Sequence, residues 1–88
     1  MDIFERNYKA VVNRGLITPK TTNQQFFNKA FEELYEVMVE MKNGNNERLN
    51  EEITDLVNTG INWLKFRNVN PVEMLTKIAE KNEKRAKQ

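Results

Sequence analysis

Two long amphipathic segments separated by Asn43-Gly44-Asn45 constrain the fold of this chain more than any other feature. Apolar residues recur at helical spacing from about residue 22 to 42, and again from about residue 47 to 67. An Asn-Gly-Asn sequence is typical of the end of one helix, and so short a connection favours an antiparallel neighbour. The sequence therefore predicts a helical hairpin at the centre of the fold.

A further helix is predicted on each side of this hairpin. Residues 2–14 form a short amphipathic stretch that ends at Gly15. Asn70-Pro71-Val72-Glu73 combines an N-cap, a first-turn proline and an acidic third residue, which predicts a last helix running to about residue 85. No segment alternates in the manner of a strand. We therefore predict an all-α fold, a single four-helix domain spanning residues 1–88.

The length and composition narrow the function classes. A chain of 88 residues encloses too little apolar surface for both a core and a ligand pocket, which favours helices that pack into a shared bundle in a homo-oligomer. The absence of His and Cys excludes Ser-His and Cys-His nucleophiles, imidazole ligands and cysteine zinc sites. The start of the chain lacks the pattern of a signal peptide, so we expect a cytoplasmic protein with no membrane partner.

The net charge of +1 conceals a strong segregation of charge along the chain. Residues 32–55 carry a net charge of −6, whereas residues 1–31 carry +3 and residues 56–88 carry +4. An acidic centre between basic ends suits a site that takes a cation and an anionic ligand together. A solvated helix surface explains the same pattern, and composition alone does not separate the two.

Two pairs of acidic residues flank the apolar stripes of the long helices. At 100° per residue, Glu33 and Glu36 border the stripe of the second helix, and Glu52 and Asp55 border that of the third. The two pairs converge in an antiparallel hairpin. No basic residue lies four positions after any of these acids, so we expect an external cation to neutralise them, and oxygen ligands alone favour Mg²⁺ or Mn²⁺. The expected buried stripe of the second helix comprises Phe26, Ala30, Leu34, Val37 and Met41. We also expect another helix to approach Gly60 closely, because glycine is otherwise unfavourable inside a helix.

The acidic residues also form a longer motif. Glu32-Glu33-Leu34-Tyr35-Glu36 and Glu52-Ile53-Thr54-Asp55, separated by 15 residues, have the form EExxE…ExxD. With the apolar helix that follows, the Asn70-Pro71 helix start and the Asn- and Arg-bearing end of the last helix, the chain resembles the MazG-like all-α nucleoside triphosphate pyrophosphohydrolases over about residues 22–85. The resemblance implies Mg²⁺-dependent cleavage of an NTP or dNTP to the monophosphate and pyrophosphate, by metal-activated water attack at the α-phosphate.

The resemblance also implies roles for individual residues. The expected metal ligands are Glu33, Glu36, Glu52 and Asp55, and Glu36 is also the expected proton acceptor. Glu32 matches the first acid of the motif but points away from the stripe, so we expect it to support the ligands from outside. Expected substrate contacts are Lys81, Asn82 and Arg85 on the last helix, and Trp63 on the acidic flank of the third. Family members often carry a lysine where Ile78 stands. The family implies a homodimer or homotetramer whose chains share the site.

Other interpretations stay open at this point. A non-catalytic helical module could bind a partner protein through the acidic face. The basic tail from Lys81 to Lys87 favours nucleic acid, but the neighbouring acids oppose it, so we expect no such partner. Asn58 and Asn62 make the third helix more polar than is usual for the family, and we expect them to face a pocket or a partner chain. Aromatic residues at helical spacing fit a core as well as base stacking: Phe27, Phe31, Tyr35, Trp63 and Phe66.

Overall fold

The computed structural model of the protein describes residues 1–87 and consists of four α-helices. They are α1 (Ile3–Asn13), α2 (Asn23–Asn43), α3 (Asn46–Phe66) and α4 (Pro71–Ala86). Residues 1–87 contain no strand, so the prediction of an all-α domain with four helices is confirmed. Over the same residues, no helix has the combination of length and apolar character that a membrane span requires.

Polar side chains determine where the helices begin. Thr22 and Gln25 form a reciprocal capping box at the start of α2: Thr22 Oγ1 accepts from the Gln25 N–H at 3.2 Å, and Gln25 Oε1 accepts from the Thr22 N–H at 2.8 Å. Asn45 and Asn70 cap α3 and α4 by accepting backbone hydrogen bonds at 3.1 and 3.2 Å. These first-turn donors have no partner inside the helix, so the caps stabilise the observed boundaries.

The two longest helices, α2 and α3, pack side by side in opposite directions. Gly44 ends α2 with a φ of +72°, a left-handed conformation that glycine adopts without steric cost, and its N–H donates to the Glu40 carbonyl at 3.1 Å. Near this connection Arg48 Nε lies 3.7 Å from Glu40 Oε1. This antiparallel pairing sets which residues of the two helices face each other.

Aromatic rings join the other end of the pair. Phe26 of α2 lies parallel to Trp63 of α3 with ring centroids 5.9 Å apart, and its centroid is 5.2 Å from that of Phe66. Such ring pairs stabilise packing beyond the area they bury. The pair is therefore held by aromatic contacts at one end and by the tight Gly44 connection at the other.

The outer helices differ in how they contact the pair. α1 lies across α3, where Asn7 Nδ2 donates to Asn58 Oδ1 at 3.3 Å and the Lys65 ammonium lies 5.7 Å from the centre of the Tyr8 ring. α4 begins at the buried Pro71, but every residue from 75 to 87 is exposed. The last helix therefore extends away from the other three.

The predicted apolar stripe of α2 is only partly correct. Phe26 is buried, but Leu34 and Met41 are 55% and 65% exposed. The contact face is rotated towards the acidic flank, so that Glu33 and Glu40 are buried instead. This face is covered because α3 packs along α2 there, whereas no element within residues 1–87 covers the opposite face. The buried apolar core of these residues consists of Ile17, Phe26 and Ile61.

The expectation of a close helix contact at Gly60 is not met within this chain. Apart from its chain neighbours and the adjoining backbone of its own helix, no atom of residues 1–87 lies within 4 Å of the position that a Cβ atom would occupy at Gly60, and the residue is exposed. The same open space surrounds Gly44, which differs in having a positive φ. Substitution of either glycine by alanine would meet no steric contact, so the effect on stability should depend on the backbone conformation alone.

We expect Gly60→Ala to raise the free energy of unfolding by about 0.5–1 kcal/mol, because alanine restricts the unfolded chain and favours the helix. The matched variant Gly44→Ala should lower it by about 1–2 kcal/mol, because alanine is strained at a positive φ. Urea denaturation followed by circular dichroism measures both. A loss of stability in Gly60→Ala would show that another chain packs against this position.

Candidate metal centre

Carboxylates from α2 and α3 meet midway along the antiparallel pair. One carboxylate oxygen from each of Glu33, Glu36 and Glu52 lies within 4.8 Å of the other two. We refer to these three residues as the carboxylate cluster. Glu33 and Glu36 are neighbours one turn apart on α2, and Glu52 comes from the facing helix. Burial, followed by the charges of Glu33 and Glu52, raises the pKa of Asp55. The structure thus brings three of the four predicted ligands together, with the fourth within electrostatic reach.

Glu33 is the most buried member of this carboxylate cluster, with a side chain only 6% exposed. Its Oε1 atom lies 3.0 Å from the ammonium nitrogen of Lys29. Its Oε2 atom is buried and has no hydrogen-bond partner within residues 1–87, and the same holds for Glu52 Oε2. Buried carboxylate oxygens without partners are unfavourable. No hydrogen-bond donor among these residues offsets the cost of burying either atom.

The expectation that no nearby base neutralises these acids is wrong for Glu33. Lys29 lies four residues before Glu33 on the same helix face, and its ammonium also lies 3.8 Å from Glu32. The hydrogen bond with Glu33 raises the pKa of Lys29 further, so the lysine remains charged. The sequence contains this signal on the N-terminal side of Glu33, whereas the expectation rested on the residues four positions later. Lys29 offsets one negative charge of the cluster.

Below about pH 7, a proton on Glu36 offsets a second charge. Hydrogen bonding to Glu52 raises the pKa of Glu36 to about 7, with further contributions from burial and from the charge of Glu33. The proton is favoured because two adjacent carboxylates are more stable when one of them is neutral. A lysine and a proton together supply two positive charges to the cluster. That is the charge which a divalent cation brings in a single atom.

The remaining predicted site residues lie apart from the carboxylate cluster. Glu32 is exposed and is linked to Glu33 only through Lys29. Trp63 donates its Nε1–H to Asn23 Oδ1 at 2.9 Å and lies against Phe26, so its ring takes part in helix packing. The three predicted substrate contacts on α4 are exposed, and within residues 1–87 no hydrogen bond or ion pair joins them to the acids: Lys81, Asn82 and Arg85. Their roles stay predictions.

A cleft of about 590 Å³ adjoins the carboxylate cluster, between α1, α2 and α3. Glu33 and Asp55 line it together with Arg14, Asn58 and Asn62. The expectation that the two asparagines face a pocket is therefore met in this chain, whereas the basic residue Arg14 was not singled out from the sequence. Its signal is weak, because nothing in the sequence shows that the end of α1 lies over the hairpin. A second cleft of similar size, between α1 and the start of α4, contains no member of the carboxylate cluster.

The chain matches no protein-family model, no curated protein and no solved structure. The functional interpretation therefore depends on the geometry of the site and on the motif that forms it.

We expect the metal-free protein to lose stability as the pH rises from about 4.5 to about 7. The pKa of Glu36 is about 7 in the folded protein against an ordinary value of 4.5, so the folded state retains a proton that the unfolded state releases. This contribution is fully present below pH 4.5 and is lost as the pH passes the folded value. The raised pKa of Asp55 acts in the same direction.

Thermal unfolding in EDTA between pH 4 and pH 8 measures this effect. Glu36→Gln, which carries no charge at any of these values, should flatten the profile, and Glu32→Gln on the exposed side should leave it unchanged. A wild-type midpoint that rises steadily across this range would contradict the assignment.

Proposed function

We propose that the protein is a Mg²⁺-dependent nucleoside triphosphate pyrophosphohydrolase, which cleaves an NTP or dNTP to the monophosphate and pyrophosphate. The observation that carries this proposal is the buried Oε2 atom of Glu33. Within residues 1–87 this atom has no hydrogen-bond partner, and it belongs to a carboxylate that meets those of Glu36 and Glu52 within 4.8 Å. Such an arrangement is unfavourable without a cation and favourable with one.

The chemistry of the donor set fits a hard divalent ion. The ligands are carboxylate oxygens only, from two helices that hold them in place, and the chain contains neither His nor Cys. Mg²⁺ prefers such oxygens, with Mn²⁺ as the alternative, and it usually retains coordination positions for substrate phosphates. We assign Glu33, Glu36 and Glu52 as ligands, with Asp55 as the fourth.

Positive side chains beside the acids support an anionic substrate. Lys29 bonds Glu33 with an ammonium group that is still about half exposed, and Arg14 lines the adjoining cleft. Ammonium and guanidinium groups are the usual protein partners of phosphate oxygens. A cation flanked by these groups suits a triphosphate better than it suits a neutral ligand.

The reaction class follows from the motif and from the residues that are absent. The EExxE…ExxD pattern resembles that of the MazG-like pyrophosphohydrolases, and no thiol or imidazole nucleophile exists in the chain. Water is therefore the nucleophile that we propose. When bound, the ion would neutralise phosphate oxygens and lower the pKa of a water molecule. Glu36 is less buried than Glu33 and reaches solvent, so we assign it to accept the proton of that water.

We further propose that the protein works as a homodimer or homotetramer. Apolar side chains on the uncovered side of α2 recur at alternating steps of four and three residues, which is the spacing of a coiled-coil seam. All are between 42% and 66% exposed: Phe27, Phe31, Leu34, Met38 and Met41. A second copy presents the same seam, and pairing the two would cover it. We refer to these five residues as the α2 seam.

A second copy also explains the position of α4. Its apolar residues Val72, Leu75 and Ile78 are about half exposed, so the part of the chain that the structure describes does not cover them fully. Its basic end lies on a helix that extends away from the other three. We propose that Lys81, Asn82 and Arg85 contact the phosphates or sugar bound at the carboxylate cluster of the other chain.

We expect the wild type to release pyrophosphate from nucleoside triphosphates when Mg²⁺ is present. Glu36→Gln and Asp55→Asn should each lower kcat/KM by about a hundredfold or more, because a weakened metal site loses several kcal/mol of charge stabilisation in the transition state. A panel of canonical and modified NTPs and dNTPs, assayed for pyrophosphate, measures this. Circular dichroism controls for helix content, and Glu47→Gln on the exposed first turn of α3 is the matched control.

The same variants distinguish the alternatives. Mg²⁺ should raise the unfolding temperature of the wild type and not that of Glu36→Gln, because a ligand that binds only the folded state stabilises it. No pyrophosphate and no shift with Mg²⁺ or Mn²⁺ would favour a non-catalytic helical interaction module. Retention of full activity in both variants would contradict the metal-site assignment.

We expect Phe31→Glu to weaken self-association by about tenfold or more, because it places a charge in the centre of an apolar seam. Sedimentation equilibrium over a range of protein concentrations measures this. Ile3→Glu, at an apolar position of α1 that is also more than half exposed, is the matched control and should leave association unchanged. A wild type that sediments as a monomer at all concentrations would overturn the proposed assembly.

A further inference from the structure

One buried polar group in the cleft has no role in the carboxylate cluster. Asn62 is only 6% exposed and lines the cleft. Its Oδ1 atom is buried and has no hydrogen-bond partner within residues 1–87. A buried amide oxygen without a partner is unfavourable and rare in folded proteins, so it calls for a donor from outside the chain.

Asn58 presents a second amide one turn before Asn62 on the same face of α3. The hydrogen bond from Asn7 Nδ2 occupies the oxygen of Asn58 and so leaves its N–H₂ group as the donor. The same bond fixes α1 over α3 and keeps the amide in place. The cleft wall therefore carries one acceptor at Asn62 and one donor at Asn58.

Part of the remaining cleft wall is apolar. Apolar side chains, among them Val11, Ile17 and Phe26, line it beside the two amides, and its volume of about 590 Å³ is within the range of small-ligand sites. Glu33 and Asp55 lie at the part of the cleft that adjoins the carboxylate cluster. A ligand with its phosphates at the acids would place its other end in this cleft.

We propose that this cleft binds the nucleobase of the substrate and that Asn62 and Asn58 read its edge. Asn62 Oδ1 accepts a hydrogen bond from a ring or exocyclic N–H, and Asn58 Nδ2 donates to the neighbouring ring acceptor. Asparagine amides are among the side chains that form hydrogen bonds with base edges. The inference rests on the proposed function only in placing the phosphates of the ligand at the acids. The base contacts themselves need neither the metal nor hydrolysis.

Uncharged nucleosides in EDTA test the base contacts in isolation. Uridine, cytidine, adenosine and guanosine are titrated against the full-length protein and followed by saturation-transfer NMR. We expect at least one of them to bind the wild type, and we expect a methyl group on its N–H edge to abolish binding. Asn62→Leu should weaken binding by about tenfold or more, because the acceptor is lost. Asn50→Leu makes the same change at an exposed position of α3 and should have no effect.

The stability of Asn62→Leu gives a second readout that separates recognition from a structural role. Leucine removes the unpaired oxygen at nearly constant size, so the unfolding temperature of the ligand-free protein should rise, by about 4 °C. A structural role predicts the opposite, a lower unfolding temperature with nucleoside binding unchanged, and that result would overturn the proposal. Asn62→Ser, which removes the amide and leaves room, is the second variant if leucine does not fit, and it should weaken binding equally.

The outcomes for the two proposals are distinct. Nucleoside binding that depends on Asn62, without hydrolysis of any triphosphate, supports the base cleft and refutes the pyrophosphohydrolase. Hydrolysis that is equally fast for all bases and unchanged in Asn62→Leu refutes the base cleft and leaves the pyrophosphohydrolase standing. Absence of nucleoside binding to the wild type up to the solubility limit also refutes the base cleft.

Discussion

The antiparallel packing of α2 against α3 is the interaction on which the rest of the structure depends. Phe26 lies against Trp63 and Phe66 at one end, and the Gly44 connection fixes the other. Between these two points the same packing places Glu33 opposite Glu52. A shift of one residue along either helix would turn these carboxylates to different sides. The register that stabilises the hairpin is therefore also the register that forms the carboxylate cluster.

Several unfavourable features of the structure lie in one region. Oxygens of Glu33, Glu52 and Asn62 are buried without hydrogen-bond partners from residues 1–87, and all three residues lie at the carboxylate cluster or the cleft beside it. Within residues 1–87 the buried hydrophobic core is limited to Ile17, Phe26 and Ile61, so the protein has little stability to spare for such groups. Their concentration in one region is typical of a binding site, where stability is often lower than packing alone would allow.

Local signals in the sequence predict the helices well. Thr22, Gln25 and Asn70 occupy capping positions whose hydrogen bonds involve residues only three apart, so the sequence determines them without knowledge of the fold. The convergence of Glu33, Glu36 and Glu52 was also predictable, because it follows from helix periodicity and a short connection. Properties that depend only on neighbours along the chain are accessible in this way.

Properties that depend on which side of a helix is covered were harder to predict. Periodicity locates an apolar stripe but does not say whether the chain itself or another copy covers it, so Leu34 and Met41 were expected to be buried and are exposed. The position of α1 over α3 is a tertiary contact, and it determines that Asn62 lies in a cleft. Lys29 was within reach of sequence reasoning, since it is a partner of Glu33 on the same helix face.

The position of Lys29 affects the ion concentration that the proposed metal site would need. Because the lysine is attached to the same helix as Glu33, its effective concentration at the carboxylate is set by geometry and does not fall when the protein is diluted. An incoming cation competes with this tethered ammonium for the carboxylate. Under the proposed function, the lysine would act as an internal competitor for the ion. Trace ions would leave it in place, and a cation would displace it only at sufficient concentration or when delivered together with a phosphate that the freed ammonium can contact.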